Sequence, residues 1–317
     1  ERFIRAFPDF QALAAAEEDE VVKAWEGLGY YRRARQLHEA ARRVVAQHGG
    51  DMPDDPGAVR ALPGVGRYMA GAILSQAFDL PEPILEANSQ RVLARLLAWE
   101  GDAKAAATKA RLWEAAARLV PSRHAGEFNQ ALMELGALVC TPRSPRCLFC
   151  PLSAHCEAKR LGLQNVLPKI GPRPAPLAVS EACAVVASRG EVLVVRRKSP
   201  GLWADFWEFP TIHLEGADPA GRSFGEPVEL VEGVRRLTGV HVRLGGTSKS
   251  LTYSVTKHRV ALEARAATAD SGDPTPGPGL SEARWVDLPA LAALTLSSAG
   301  RRLASAIASN PGEWGFG

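Results

Sequence analysis

The hydrophobic period of this 317-residue chain changes partway along its length. Up to about residue 157, apolar residues recur at helical spacing, which indicates an all-helical domain. Four prolines then fall between 168 and 176. Because each proline removes a backbone donor, this stretch cannot continue a helix. Beyond it, the apolar runs 182–186 and 192–195 flank Arg189-Gly190, a pattern typical of a β-hairpin.

The change of period predicts two domains of different class. We expect a helical domain at 1–160, a Pro-rich linker at 161–178 and a smaller α+β domain at 179–317. Within the second domain the pattern predicts further strands at 240–244, 251–255 and 260–265, helices at 227–237 and 298–308, and a mobile loop at 270–279.

Charge and composition are those of an ordinary globular protein, with 46% apolar residues, 23% charged residues and a net charge of +3. This mild charge does not by itself indicate a nucleic-acid partner, so any site for a polyanion must be local. The sequence has no apolar leader and no apolar run long enough to cross a membrane. We expect a cytoplasmic monomer with no membrane contact.

Four cysteines at the spacing C-x6-C-x2-C-x5-C provide a complete set of thiolate ligands within seventeen residues: Cys140, Cys147, Cys150 and Cys156. Four soft thiolates suit a zinc ion or an iron-sulfur cluster, and disulfides are the alternative. Cys183 lies far away in the first predicted strand, where it is expected to be a buried core residue.

A glycine turn, Leu62-Pro-Gly-Val-Gly66, runs straight into the predicted helix that begins at Arg67. Gly64 and Gly66 would let another backbone approach closely, and the N-terminus of a helix favours an anion such as a DNA phosphate. A purely structural corner between two helices is the alternative.

This glycine turn, the segment 83–93 and the four cysteines together resemble the helix-hairpin-helix DNA glycosylases that carry a [4Fe-4S] cluster. The segments 27–37 and 128–137 are similar to the MutY family of adenine DNA glycosylases. The resemblance implies a helical glycosylase domain with an iron-sulfur loop at 140–156, followed by a Nudix-like α+β domain that recognises 8-oxoguanine. It also implies association with the bacterial nucleoid through DNA binding.

The family flips adenine mispaired with 8-oxoguanine or guanine out of double-stranded DNA and hydrolyses its N-glycosidic bond. Glu86 takes the place of the family's catalytic Asp, with a reach longer by one methylene. The alternative is that Glu86 only caps a helix or faces solvent. Asn88 would support it by hydrogen bonding or would itself be the N-cap.

The family's general acid is a Glu in an S-E-x-x-L-Q-Q-T helix, and that motif occurs nowhere in this sequence. We expect the helix to lie upstream of Glu1, which matches a later family position. A chain without this acid is of doubtful activity. The alternative function is therefore a catalytically silent, lesion-recognising DNA-binding module with a structural cluster.

Further contacts follow from the same resemblance. Tyr68 stands where the related endonuclease III type has its Schiff-base Lys, so a monofunctional glycosylase is expected. Tyr30 matches the residue that wedges between bases, and Leu62 belongs to the DNA-contacting turn. Part of a basic group is expected to face phosphates, together with the arginines between the cysteines: Arg32, Arg33, Arg35, Arg42, Arg43, Arg143 and Arg146.

In the Nudix-like domain the helix at 226–239 lacks the R-E-x-x-E-E carboxylates that hold magnesium, so nucleotide hydrolysis is not expected. The segment 253–259 matches the family's 8-oxoguanine-reading Phe-Ser-His loop. Val255, Thr256 and Lys257 fall at those three positions, and a shift of one residue would bring in His258. Trp203 and Trp207 are expected in the core.

Overall fold

The computed structural model describes residues 1–171, 174–198, 205–214 and 227–316. Trp203 lies outside these residues. The chain forms two compact units, one of Glu1–Val21 with Tyr30–Arg173 and the other of Val22–Gly29 with Pro174–Gly317. The division after Arg173 falls inside the segment predicted as the linker. The inclusion of Val22–Gly29 in the second unit has no counterpart in the sequence prediction.

The first unit is helical, as its apolar period predicts. Its elements, including a π-helical turn after α9 and two short 3-10 turns, are α1 (Arg2–Ala6), α2 (Phe10–Ala15), α3 (Glu18–Ala24, which ends in the second unit), α4 (Arg32–His48), α5 (Pro56–Ala61), α6 (Arg67–Phe78), α7 (Ala87–Leu96), α8 (Ala106–Leu119), α9 (Ala125–Glu134), Leu135–Val139, Cys147–Phe149, Ser153–His155 and α10 (Glu157–Arg160).

Glycines let the backbone of α6 pack closely on its neighbours. A Cβ added to Gly71 would lie 2.2 Å from the carbonyl oxygen of Pro83, and one added to Gly126 on α9 would lie 2.6 Å from that of Ser75. Asn129, also on α9, donates to Ser75 Oγ and to the Glu82 carbonyl at 2.9 Å each. These contacts fix α6 against α9 and against the segment that leads to α7.

The second unit contains a seven-stranded mixed sheet, three α-helices and a short 3-10 turn within its described part: β1 (Leu177–Ser188), β2 (Glu191–Arg197), β3 (Trp207–Glu208), β4 (Thr211–Leu214), α11 (Pro227–Thr238), β5 (His241–Val255), β6 (His258–Ser271), β7 (Leu280–Asp287), α12 (Leu288–Ala293), α13 (Ser298–Ser309) and the 3-10 turn Pro311–Trp314. The strand order is β3-β2-β1-β6-β5, with β4 paired to β1 and β7 to β2. β1 and β6 run parallel.

Both faces of the sheet are covered by helices. On one face Cys183 and Val185 of β1 join a core that includes Leu291 of α12 and Leu303 of α13. On the other face the alternate residues of β1 pack against Val234 of α11. The central strand is therefore buried on both sides, which is why it reads as a continuous apolar run rather than an alternating one.

The β1–β2 hairpin and the helices predicted near 227–237 and 298–308 are confirmed. The strands predicted at 240–244 and 251–255 are one strand, β5, whose register shifts between Leu244 and Ser248. Gly245 and Gly246 interrupt the apolar pattern there and hide the continuity. The predicted loop at 270–279 is wrong at its start, because β6 continues to Ser271, and β7 was missed.

Two core assignments are confirmed: Cys183 is 1% exposed and Trp207 is 5% exposed. Among the described residues, no helix combines the length and the apolar character needed to span a bilayer.

Replacing Gly71 by Ala is expected to lower the free energy of unfolding by about 1–3 kcal/mol, because the new methyl would overlap the Pro83 carbonyl oxygen. Urea unfolding measures the change. Gly312→Ala is the matched control, since an added Cβ there meets nothing within 4 Å. Equal stability of the two variants would contradict the close packing of α6.

Candidate DNA-binding and active site

The turn between α5 and α6 is a tight hairpin built around Gly64. The Val65 N–H donates to the Leu62 carbonyl at 3.1 Å. Gly64 has φ +77°, and a Cβ there would lie 2.8 Å from Cβ of Gln36 on α4. Glycine is therefore needed at this position both for its conformation and for its close contact with α4.

Gly66 and Leu62, at the two ends of the turn, have different roles. Gly66 is the N-cap of α6 and provides no side-chain cap. A Cβ there would meet nothing within 4 Å, so this end of the helix is open. The side chain of Leu62 is 5% exposed and packs with Ala40 and Val44, so it is not available to a DNA strand. Only the backbone of Leu62 belongs to the exposed turn.

Tyr30 stands beside this turn. Its backbone is left-handed, with φ +49°, and the residue is 77% exposed. A concave surface of about 510 Å³ is lined by Tyr30, Arg32, Arg33, Gln36, Gly64, Val65 and Gly66. The structure thus brings the predicted wedge, two of the predicted arginines and the glycine turn to one surface. Local positive charge of this kind, absent from the whole-chain average, suits a phosphate backbone.

The other arginines of the predicted basic group are partly engaged within the protein. Arg35 pairs with Glu18 at 2.7 Å, and Arg43 pairs with Glu39 at 3.3 Å. Arg42 donates to a backbone carbonyl at 3.4 Å. Arg32 and Arg33 are the members of the group that line the concave surface.

Glu86 is the N-cap of α7. Its two carboxylate oxygens accept from the backbone N–H groups of Asn88 and Ser89, at 2.7 Å each. Ser89 Oγ in turn accepts from the Glu86 N–H at 2.8 Å, which completes a capping box. The carboxylate is half-buried and held in one orientation. The prediction that Asn88 could be the N-cap is wrong, because Glu86 holds that place.

Tyr68 comes from the first turn of α6 and lies near this carboxylate. Burial, followed by the negative charge of Glu86, raises the pKa of the Tyr68 phenol. Its hydroxyl is 3.5 Å from the sulfur of Met133. The hairpin helix therefore presents Tyr68 to the same region in which α7 presents Glu86.

Two buried arginines of α7, which the sequence analysis missed, join this helix to the cysteine loop. Arg91 donates to Asn88 Oδ1 at 2.9 Å, to the Gly136 carbonyl at 2.8 Å and to the Cys140 carbonyl at 2.7 Å. Arg95, 2% exposed, donates to the Thr141 carbonyl at 2.7 Å and lies 3.3 Å from Cys140 Sγ. The sequence signal that could have identified them is their i, i+4 spacing, which places both arginines on the buried, apolar face of α7.

The four clustered cysteines are half-buried free thiols, and none of them forms a disulfide in this structure. As the thiols stand, no three His, Cys, Asp or Glu side chains of the described residues are arranged to hold a metal ion. Yet burial, and then the charges of Cys140, Cys156 and Cys150, raise the pKa of Cys147. Four thiolates this close repel one another unless a cation lies between them, so the donor set fits a soft metal centre.

The loop that carries these cysteines is strongly exposed between Cys147 and Cys150. Leu148 is 89% exposed and Phe149 is 81% exposed, which the sequence analysis did not identify. Arg143 and Arg146 are exposed as well, in agreement with their predicted availability.

In the second unit, Thr256 and Lys257 form the two-residue turn between β5 and β6, where Val255 pairs with His258. Thr256 has φ +50°, and both turn residues are exposed. His258 is only half-exposed, and its buried Nδ1 has no hydrogen-bond partner. The turn therefore exposes the Thr256 and Lys257 side chains more fully than that of His258.

The same unit holds a buried polar group that the sequence analysis missed. Arg197 pairs with Glu208 at 2.7 Å, and Tyr253 donates to Glu181 at 3.0 Å. These side chains and Cys183 line a small cavity of about 30 Å³. Burial raises the pKa of Glu208 to about 7, against the opposing charge of Arg197.

Comparison with known proteins adds the family context. Residues 1–118 match the family model of the HhH-GPD superfamily base excision DNA repair proteins, and residues 182–306 match that of the NUDIX domain. The chain is 37% identical over 262 residues to the adenine DNA glycosylase of Mus musculus, covering 68% of this chain and 51% of that protein. It is 33% identical over 341 residues to that of Homo sapiens, covering 90% and 60%.

Among solved structures, a thermostable thymine-DNA glycosylase is similar with a TM-score of 0.46 and 32% identity, over 50% of this chain and 73% of that one. The chain spans 51% of the length of the adenine DNA glycosylase of Mus musculus and 60% of that of Homo sapiens.

We expect the free energy of unfolding to fall as the pH rises from about 4.5 to about 7, by at most about 1.4 kcal/mol per pH unit from Glu208. A raised pKa in the folded state means that the proton stabilises the fold. This contribution is complete below the unfolded pKa and is lost as the pH passes the folded one. Urea unfolding across this range measures the slope.

Glu208→Gln should remove that part of the slope, whereas Glu229→Gln, at an exposed position of α11, should leave it unchanged. An identical pH slope in all three proteins would show that Glu208 does not hold a proton near neutral pH.

Proposed function

Because this chain belongs to the MutY family of adenine DNA glycosylases, we propose that it acts in base-excision repair on adenine mispaired with 8-oxoguanine or guanine in double-stranded DNA. The observation that supports this best is the carboxylate of Glu86. It is fixed at the N-terminus of α7 and adjoins Tyr68 of the hairpin helix.

On this proposal the concave surface between Tyr30 and the glycine turn is where the duplex binds. The open N-terminus of α6 offers backbone N–H groups to a phosphate, and Arg32 and Arg33 neutralise its neighbours. Tyr30 is an exposed, flat ring on a constrained backbone, and it wedges between bases as the adenine turns out of the stack.

Glu86 stabilises the positive charge that develops on the sugar as the glycosidic bond breaks. Each carboxylate oxygen uses one acceptor position on the cap and keeps another for this task. The capping box also sets the position of the longer side chain, which compensates for the added methylene. Tyr68 cannot form an imine with the sugar, so water completes the reaction and no lyase step follows.

The departing adenine must also be protonated, and the family's Glu in its L-Q-Q-T helix does not occur in this sequence. The engagement of both Glu86 oxygens in the helix cap favours a second candidate function. In it the chain is a catalytically silent module that recognises the lesion and binds DNA.

Cys140, Cys147, Cys150 and Cys156 would hold a [4Fe-4S] cluster. When bound, the cluster supplies rigid cross-links to the loop and takes no part in the hydrolysis. The chain's own residues already support this loop, since Arg91 and Arg95 bind its backbone carbonyls. Arg143 and Arg146, exposed between the ligands, would then contact phosphates.

The Nudix-like unit would read the base opposite the adenine through Thr256 and Lys257. A two-residue turn projects both side chains, and the Thr256 hydroxyl can both donate to and accept from 8-oxoguanine. On the described part of α11 the carboxylates are Glu229 and Glu232, both exposed, which is too sparse a set to bind magnesium for nucleotide hydrolysis.

Single-turnover release of adenine from a duplex with A opposite 8-oxoguanine tests the catalytic proposal. A chain extended through the family's acid helix should release adenine, whereas the chain as given should be slower by about 100-fold or more. Within the extended chain, Glu86→Gln should lose a similar factor, while Glu86→Asp should retain most of the rate.

Equally rapid release by both chains would overturn the assignment of the acid. Lesion-selective binding by the extended chain with no release would instead establish the silent module.

Metal analysis tests the cluster. The purified protein should contain about four iron and four sulfide per chain and absorb in the visible. Cys147→Ser should lose iron and absorbance, whereas Cys183→Ser, which changes a cysteine buried in the second unit, should keep both. One zinc per chain with no visible absorbance would exclude the iron-sulfur cluster.

A further inference from the structure

The chain enters the second unit twice. Val22–Gly29 groups with Pro174–Gly317, although the residues on both sides of this segment belong to the helical unit. Tyr30, the proposed base wedge, is the first residue after the segment. We call Val22–Gly29 the docked segment.

An ion pair between Glu26 and Arg301 attaches the docked segment to the rest of its unit. Arg301 on α13 binds both carboxylate oxygens of Glu26, with Nε 2.5 Å from Oε1 and Nη2 3.0 Å from Oε2. The side chains of Arg301 and Glu26 are 27% and 17% exposed. A bidentate pair of a guanidinium and a carboxylate, partly shielded from water, fixes orientation as well as distance.

Arg301 is itself held by the end of α12. It donates to the Ala292 carbonyl at 3.0 Å and to the Leu294 carbonyl at 2.6 Å. Lys23 of the docked segment also donates to a carbonyl there, that of Ala293. The C-terminus of α12 carries partial negative charge, so it favours both cations.

The docked segment is tightly turned between Glu26 and Tyr30. Trp25 donates from its indole nitrogen to the Gly29 carbonyl at 3.0 Å, and the Leu28 N–H donates to the Trp25 carbonyl at 3.1 Å. Gly27 and Gly29 have φ +90° and +69°. These bonds and backbone angles constrain the short stretch of chain between Glu26 and Tyr30.

We propose that Arg301 is a positioning residue for Tyr30. By holding Glu26, it makes the Nudix-like unit set the backbone of the base wedge, so that recognition of the lesion and insertion of Tyr30 are coupled. This inference rests on the proposed function, since it takes Tyr30 as the wedge. It adds a specificity-determining contact at a residue that would not itself touch the DNA.

The test uses the full chain and a duplex with A opposite 8-oxoguanine and 2-aminopurine next to the 8-oxoguanine. Insertion of Tyr30 unstacks the neighbouring base, so the fluorescence at saturating protein reports the wedge. Arg301→Gln and Glu26→Gln should each reduce the fluorescence increase by about twofold or more, because a 1 Å misplacement is enough to spoil such a contact. Arg301→Lys should be intermediate.

Arg302→Gln is the matched control, since it removes an exposed arginine from the same helix. In a Tyr30→Ala background, Arg301→Gln should have no further effect on the signal, as expected for two residues that act through one wedge. Glu26→Gln leaves the bonds of Arg301 to α12 intact, so it provides the answer if Arg301→Gln fails to fold.

A full signal from Glu26→Gln or from a folded Arg301→Gln would overturn the coupling while leaving the proposed function standing. Failure of the unmodified chain to distinguish this duplex from one with a normal A·T pair would overturn the proposed function and the inference with it.

Discussion

The helical unit depends on the burial of two guanidiniums in α7. Arg91 and Arg95 bind backbone carbonyls of the cysteine loop, groups that would otherwise be left without partners in a partly buried segment. A buried charge is costly unless it is fully hydrogen-bonded, and here the donors meet carbonyls from three separate stretches of chain, at Gly136, Cys140–Pro142 and Leu167. Glu86 caps the same helix, so its carboxylate and the cysteine loop share one support.

This arrangement explains how a loop with exposed Leu148 and Phe149 keeps a defined position. Short 3-10 turns on either side of Cys150 have little stability of their own. Arg91 and Arg95 hold the start of the loop by binding its backbone carbonyls, and a metal centre would cross-link its four cysteines. The cysteine loop and the Glu86 carboxylate are therefore connected through α7.

The features that could be predicted from the sequence are those with local signals. Helical spacing before residue 157, the Pro-rich boundary and the β1–β2 hairpin each depend on a few neighbouring residues. Tyr30, Thr256 and Lys257 were identified by resemblance to a family, and all three are exposed. Gly64 is a partial case: its turn was evident, but its contact with Gln36 was not.

The features that were missed depend on partners far away in sequence. The carbonyl network around Arg95 joins residues up to 72 positions apart. The pairing of Glu26 with Arg301 spans 275 positions. Strand β7 was missed because its burial depends on pairing with β2 rather than on a strict alternation in its own sequence. The opposite error was made for Leu62: its motif predicted a DNA contact, but its side chain packs in the core.

The parallel pairing of β1 with β6 places the end of the linker beside the turn between β5 and β6. Leu177 begins β1, and its N–H donates to the carbonyl of Lys257 at 2.8 Å. Residues ahead of Leu177 can vary in number without disturbing the sheet, but a deletion that reaches Leu177 would remove a support of the turn itself. Variation in linker length within the family should therefore end at Leu177, where the linker gives way to a strand that supports this turn.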